Sequence, residues 1–197
     1  MKRTFLKALA VTALGSFIGT AAYAADITGA GASFPYPVYA KWAEAYKKET
    51  GTGLNYQSIG SSGGIRQIRA KTVAFGATDA PLSGAELDKD GMVQFPAIIG
   101  GTVPVVRLDG FKPGELRVTG PVLAEMYRGK ITKWNDDAIK KQNPKVDLPD
   151  LDITVVHRSD KSGTTKNFLS YVKDAAGDAW SYELGENWPN EVGQGAK

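Results

Sequence analysis

Leu54-Asn55-Tyr56-Gln57-Ser58-Ile59-Gly60-Ser61-Ser62-Gly63-Gly64-Ile65-Arg66-Gln67-Ile68 is the stretch that decides the fold. Leu54 to Ile59 reads as a strand. It runs into a corner made only of glycine and serine, and Ile65 and Ile68 then begin a short helix. The same alternation extends outward in both directions, which predicts a layered α/β architecture. Upstream, Gly29-Ala30-Gly31-Ala32-Ser33-Phe34-Pro35 leads into a helix from about Pro37 to Lys48. Val38, Trp42 and Tyr46 share one of its faces, and Gly51 and Gly53 end it. Downstream, Val73 to Ala77 is a second strand closing on Thr78-Asp79-Ala80-Pro81-Leu82-Ser83, and Ser83 with Glu86 forms a capping box for the next helix.

Phe95 to Leu108 is apolar but broken by Gly100, Gly101 and Pro104, and the stretch from Val103 to Gly110 reads as a crossover between lobes. The chain thus divides into a first lobe, 25–106, and a second, 107–197. In the second, Pro121 to Arg128 and Asp136 to Gln142 read as helices and Asp152 to His157 as a strand. Arg158-Ser159-Asp160-Lys161-Ser162-Gly163-Thr164-Thr165 forms a corner, followed by a helix through Phe168, Leu169 and Val172. The tail from Gly177 is polar apart from two tryptophans. It ends at Gly193-Gln194-Gly195-Ala196-Lys197 without a terminating element, as expected of a cut-off chain.

Residues 1–24 read as a cleavable signal peptide. Lys2, Arg3 and Lys7 precede an uncharged run from Ala8 to Ile18, and Ala22-Tyr23-Ala24 supplies the small-x-small cleavage signature before Ala25. Thr12, Gly15, Ser16 and Thr20 interrupt a run already short of the ~20 apolar residues that a spanning helix needs. The expected location is the periplasm. No cysteine is present, which excludes disulfides, cysteine zinc sites, thiol nucleophiles and a lipidated-cysteine anchor. The net charge of +3 belongs entirely to the leader. Beyond it, 21 basic residues balance 21 acidic ones, so the mature chain carries no footprint for nucleic acid or an anionic membrane. No metal or cofactor is expected, and any anion must be caught by local geometry.

The small-residue corners supply such geometry. The first turn of a helix has N–H groups without intrahelical partners and a partially positive end, and glycine, serine and threonine let an oxyanion approach them. Ser33, Ser61 and Ser62, and Ser162 with Thr164 and Thr165, each also read as plain N-caps. Several such corners in one short chain, without a nucleotide motif, favour anion binding. Arg158 beside the Ser162-Gly163-Thr164 corner can fork onto two phosphate oxygens, or else form an ion pair with Asp160. Asp79 should repel an anion, or else is a cap before Pro81. Phosphate near neutral pH, however, still carries a proton that an ionised Asp can accept, and sulfate does not.

These residues resemble a family. Thr28-Gly29-Ala30-Gly31-Ala32-Ser33-Phe34-Pro35, Ile59 to Gly64, Thr78 to Ser83 and Arg158 to Thr165 are similar to the periplasmic phosphate-binding proteins of ABC phosphate importers. Gln94-Phe95-Pro96 and Gly129-Lys130-Ile131-Thr132-Lys133-Trp134 look like that family too. The resemblance runs from about Ile27 to the last residue. It implies a type II periplasmic-binding-protein fold: two α/β lobes with a hinge, closing on one dehydrated phosphate that is handed to permease subunits in the inner membrane by a monomeric receptor. It implies that Ser33 and Phe34 donate backbone N–H groups and that the Ser33 hydroxyl adds another donor. Ser61 would contribute its hydroxyl and N–H, and Asp79 would accept the phosphate proton. Arg158, held by Asp160, would supply the fork, and Ser162, Gly163 and Thr164 would complete the cradle. Lys166 stands where the family usually has an aromatic or apolar residue, and Ser33 replaces a common threonine. The C-terminal return that completes the family's first lobe is missing here.

Two other classes compete. Gly60-Ser61-Ser62-Gly63-Gly64 fits the G-x-S-x-G nucleophile elbow, and Ser62, Asp79 and His157 fall in the order of a hydrolase triad. His157, the single histidine, lies inside an expected strand, where a structural imidazole is the plainer reading. The other competitor is a receptor for sulfate, molybdate or an organic anion, from which Asp79 would distinguish a phosphate receptor.

Overall fold

The computed structural model describes residues 25–189. The expected signal peptide and the last eight residues, with the glycine-rich end of the tail, lie outside the described residues. The first half is built on three parallel strands in the order β2-β1-β3: β1 Ile27–Gly31, β2 Leu54–Ser58 and β3 Phe75–Ala77. The central strand pairs Ile27 with Leu54 through Gly31 with Ser58 on one side, and Gly29 with Phe75 through Gly31 with Ala77 on the other. Parallel strands need crossover connections, and helices α1 (Tyr36–Thr50) and α2 (Ser61–Arg69) supply them.

Local chemistry explains the helix ends. Pro35 and Pro37 open α1, and Gly51 closes it at φ +77°, with Lys47 and Lys48 in the last turn. The Ser83–Glu86 capping box starts α3 (Gly84–Asp90), with both reciprocal bonds formed. Gly64 lets α2 lie directly on β1. A Cβ there would sit 2.5 Å from the Gly31 Cα and 2.6 Å from the Ala30 carbonyl oxygen.

The face of α1 that meets the sheet is not the one that carries Val38, Trp42 and Tyr46. Val38, Trp42 and Tyr46 are exposed, whereas Tyr39 and Ala43 turn inward. Tyr39 packs edge-on against Tyr56 at 5.0 Å and against Phe75 at 6.2 Å, and Tyr56 stacks on Phe75 at 5.9 Å. The Tyr56 hydroxyl donates to the Ala32 carbonyl at 2.6 Å. Burial, with smaller contributions from Tyr39 and Asp79, pushes its ionisation well above the ordinary tyrosine range.

Residues 92–108 form no regular element, and Val93, Phe95, Ile99 and Val105 are exposed. Beyond them α4 (Gly120–Tyr127), the short α5 (Asp137–Lys140) and α6 (Gly163–Ala176) carry the second half. Leu123, Met126, Ile131, Trp134, Ile139 and Leu148 form one buried cluster. Ala124, Leu169, Val172, Trp180 and Trp188 form another. The tail read as polar is therefore tied into the core by both its tryptophans.

The strand expected from Asp152 to His157 does not form. Lys133 and Asp152 make a single antiparallel bridge, held by the Ile153 N–H on the Thr132 carbonyl at 2.7 Å. A strand exists only by pairing, and no ladder continues beyond this bridge among the described residues.

Candidate functional site

In a parallel sheet all strands finish at one edge, and ligand crevices lie beyond that edge. Here β1 delivers Ser33, β2 delivers Gly60 and Ser61, and β3 delivers Asp79 to the same place. Ser61 is the first residue of α2 and is fully buried. Its hydroxyl donates to Asp79 Oδ1. From the second half, the Thr164 hydroxyl donates to Asp79 Oδ2, and the Asn167 side-chain amide donates to the Asp79 carbonyl at 2.6 Å. One carboxylate thus joins the sheet edge to the start of α6.

Close approach at that point depends on Gly163. A Cβ there would lie 2.1 Å from Asp79 Oδ1 and 2.6 Å from the Ser61 Oγ, so any other residue would push the halves apart. Ser162 caps α6, accepting the Thr165 N–H at 3.4 Å.

Arg158 reaches the site from the loop before α6. Its Nε donates to Asp160 Oδ1 at 2.6 Å and its Nη2 to Asp160 Oδ2, while Nη1 donates to the Ser33 hydroxyl at 2.9 Å. The bond to Asp160, more than the charges of Asp160 and Asp79, holds the guanidinium pKa above its ordinary value against the opposing effect of burial. Asp160 occupies the Nε side and leaves the Nη1 edge toward the first half, which orients the fork toward the sheet edge. The ion pair and the anion-facing fork, alternatives by sequence, are geometrically compatible.

Of the eight residues singled out by sequence, Ser33, Ser61, Asp79, Arg158, Ser162, Gly163 and Thr164 meet at this junction. Phe34 adjoins it with a partly exposed ring that sits against Gly100. Lys166 is exposed and its N–H continues the helix by donating to the Ser162 carbonyl at 3.2 Å, so it does not intrude on the junction. The hydrolase constellation is not assembled. Ser62 donates to Glu186, Asp79 is engaged by Ser61 and Thr164, and the His157 ring stacks on Trp188 at 4.6 Å with Nδ1 at 2.9 Å from the Arg158 carbonyl.

A family model described as the PBP superfamily domain matches residues 18–196. The chain belongs to the PBP superfamily. It is 54% identical over 174 residues to the phosphate-binding protein PstS of Haemophilus influenzae, covering 88% of this chain and 49% of that protein. To the phosphate-binding protein PstS of Pasteurella multocida it is 50% identical over 195 residues, covering 97% of this chain and 56% of the relative. The chain spans about half the length of the curated relatives it matches. Among solved structures, one from Clostridium perfringens, described as a phosphate ABC transporter substrate-binding protein with bound phosphate, shares the fold. It superposes with a TM-score of 0.54 at 21% identity, over 86% of this chain and 60% of that one. The PBP-superfamily assignment agrees with the layered α/β architecture read from the sequence and with the parallel sheet of the structure.

Asn167 and Glu186 were not identified from sequence. Asn167 lies one turn beyond Thr164 on α6, a spacing that could have suggested it. Glu186 sits in the tail and carries no local signal.

Proposed function

We propose that the chain binds inorganic phosphate at the junction of its two lobes, 25–106 and 107–197. In this reading it is exported to the periplasm through the cleavable leader and delivers phosphate to the permease subunits of an ABC importer. The observation that carries this reading is that the Asp79 carboxylate, held by Ser61 and Thr164, and the Arg158 guanidinium, held against Ser33, lie at one sheet edge. A guanidinium fork neutralises a tetrahedral oxyanion, while hydroxyls and helix N-termini add donors without adding net charge. The hydroxyl protons of Ser61 and Thr164 can rotate from Asp79 to the anion, which frees the carboxylate to accept the proton of hydrogen phosphate. The names of the PstS relatives support the same ligand.

Among the described residues no helix is long and apolar enough to cross a membrane. The export reading rests on the leader.

Calorimetric titration with phosphate and sulfate tests the proposal. The expected result is a marked preference for phosphate in the wild type, narrowed about 10- to 100-fold in Asp79→Asn, the size of one lost hydrogen bond to a charged group. Equal binding of both anions by the wild type would instead favour a general oxyanion receptor. Ester hydrolysis abolished by Ser62→Ala would favour the enzyme reading.

A further inference from the structure

Glu186 lies 124 positions from Ser62, yet its carboxylate accepts the Ser62 hydroxyl. Its backbone carbonyl accepts the Ser162 N–H at 2.9 Å. Ser62 is in the first turn of α2, in the first half, and Ser162 is the N-cap of α6, in the second. One half-buried residue therefore holds both helix starts that frame the junction.

Its own segment is packed, through its tryptophans, into the second half. Trp180 is fully buried and Trp188 nearly so, both in the cluster with Leu169 and Val172. Trp188 also stacks on His157 and contacts Tyr127 at 5.4 Å. The bond between Ser62 and Glu186 is thus a bond between halves, made from a fixed platform. It is also charge-assisted, the stronger kind.

We propose that Glu186 is a clasp, a positioning residue that holds the lobes in their closed arrangement by gripping Ser62. Glu186 does not touch the anion. It commits the Ser62 hydroxyl to closure and leaves Ser33, Ser61 and Thr164 as the hydroxyl donors of the cradle. Opening the lobes breaks this bond, so the clasp acts on ligand release more than on capture. The kinetic form of this inference rests on the phosphate reading, whereas its structural form does not.

Stopped-flow measurement of phosphate association and dissociation in Glu186→Ala, Glu186→Gln, Ser62→Ala and the Glu186→Ala/Ser62→Ala double variant tests it. Dissociation is expected to speed up about tenfold in each alanine variant, with association changed less than about threefold. The double variant should be no faster than either single one, because both remove the same bond. Glu186→Gln, whose carboxamide oxygen can still accept, should recover part of the loss. Unchanged dissociation in both alanine variants, or additive effects in the double, overturns the clasp.

If the wild type gives no phosphate signal, the ligand reading fails and the clasp is judged on the ligand-free protein. Faster amide hydrogen exchange across the start of α2 and residues 181–189 in both alanine variants supports it, and exchange equal to wild type overturns it.

Discussion

The two halves of the chain reach order by different means. In the first, the buried apolar residues are mostly small or confined to the sheet: Ala30, Ala32, Tyr56, Val73 and Ala80. Many of its large apolar residues outside the Tyr39–Tyr56–Phe75 cluster are exposed, with Trp42 at 52% and Ile99 at 96%, beside an apolar cleft of about 1040 Å³ lined partly by Phe75, Phe95 and Ile99. In the second half Leu123, Ile139, Leu169, Val172 and Trp180 bury themselves in contiguous clusters. Backbone pairing and glycine contacts position the sheet-edge residues, whereas side-chain packing positions α6 and hydrogen bonds to Asp160 and Ser33 orient Arg158. The chemistry is divided in the same way. The first half brings the carboxylate, the second brings the guanidinium, and each is oriented by a hydroxyl from the other.

The contrast makes unequal predictions for two tryptophans. Trp180→Ala should destabilise the chain by about 3–5 kcal/mol in urea unfolding, because it empties a fully buried site. A loss near zero would mean that the second half does not depend on its clusters. Trp42→Ala should stay within about 0.5 kcal/mol of wild type, as expected of a surface position. A loss like that at Trp180 would show that the apolar face of α1 is covered in solution, and would remove the contrast.

Local signals were the most legible in the sequence. The Ser83–Glu86 capping box, the Gly51 helix stop and the Gly60–Gly64 corner are complete within a few residues, and all appear as read. Asp152–His157 had the composition of a strand, but among the described residues it pairs only at Asp152, with Lys133. The shared face of Val38, Trp42 and Tyr46 was legible but its burial was not, because helical spacing is satisfied equally well whether a face is covered or exposed. Seven of the eight residues expected from the sequence lie at one junction, and each sits at a corner with its own small-residue signature. Glu186 has no such signature, because its role arises only when residues 124 positions apart meet.

The central claim is that a carboxylate from one half and a guanidinium from the other act on a single anion. A double-mutant cycle on phosphate affinity, using Asp79→Asn, Arg158→Lys and the pair, tests this most directly. Coupling of about 1 kcal/mol or more between the two positions is expected, as for residues sharing one network. Effects that add to within about 0.3–0.5 kcal/mol, the behaviour of independent sites, would contradict it.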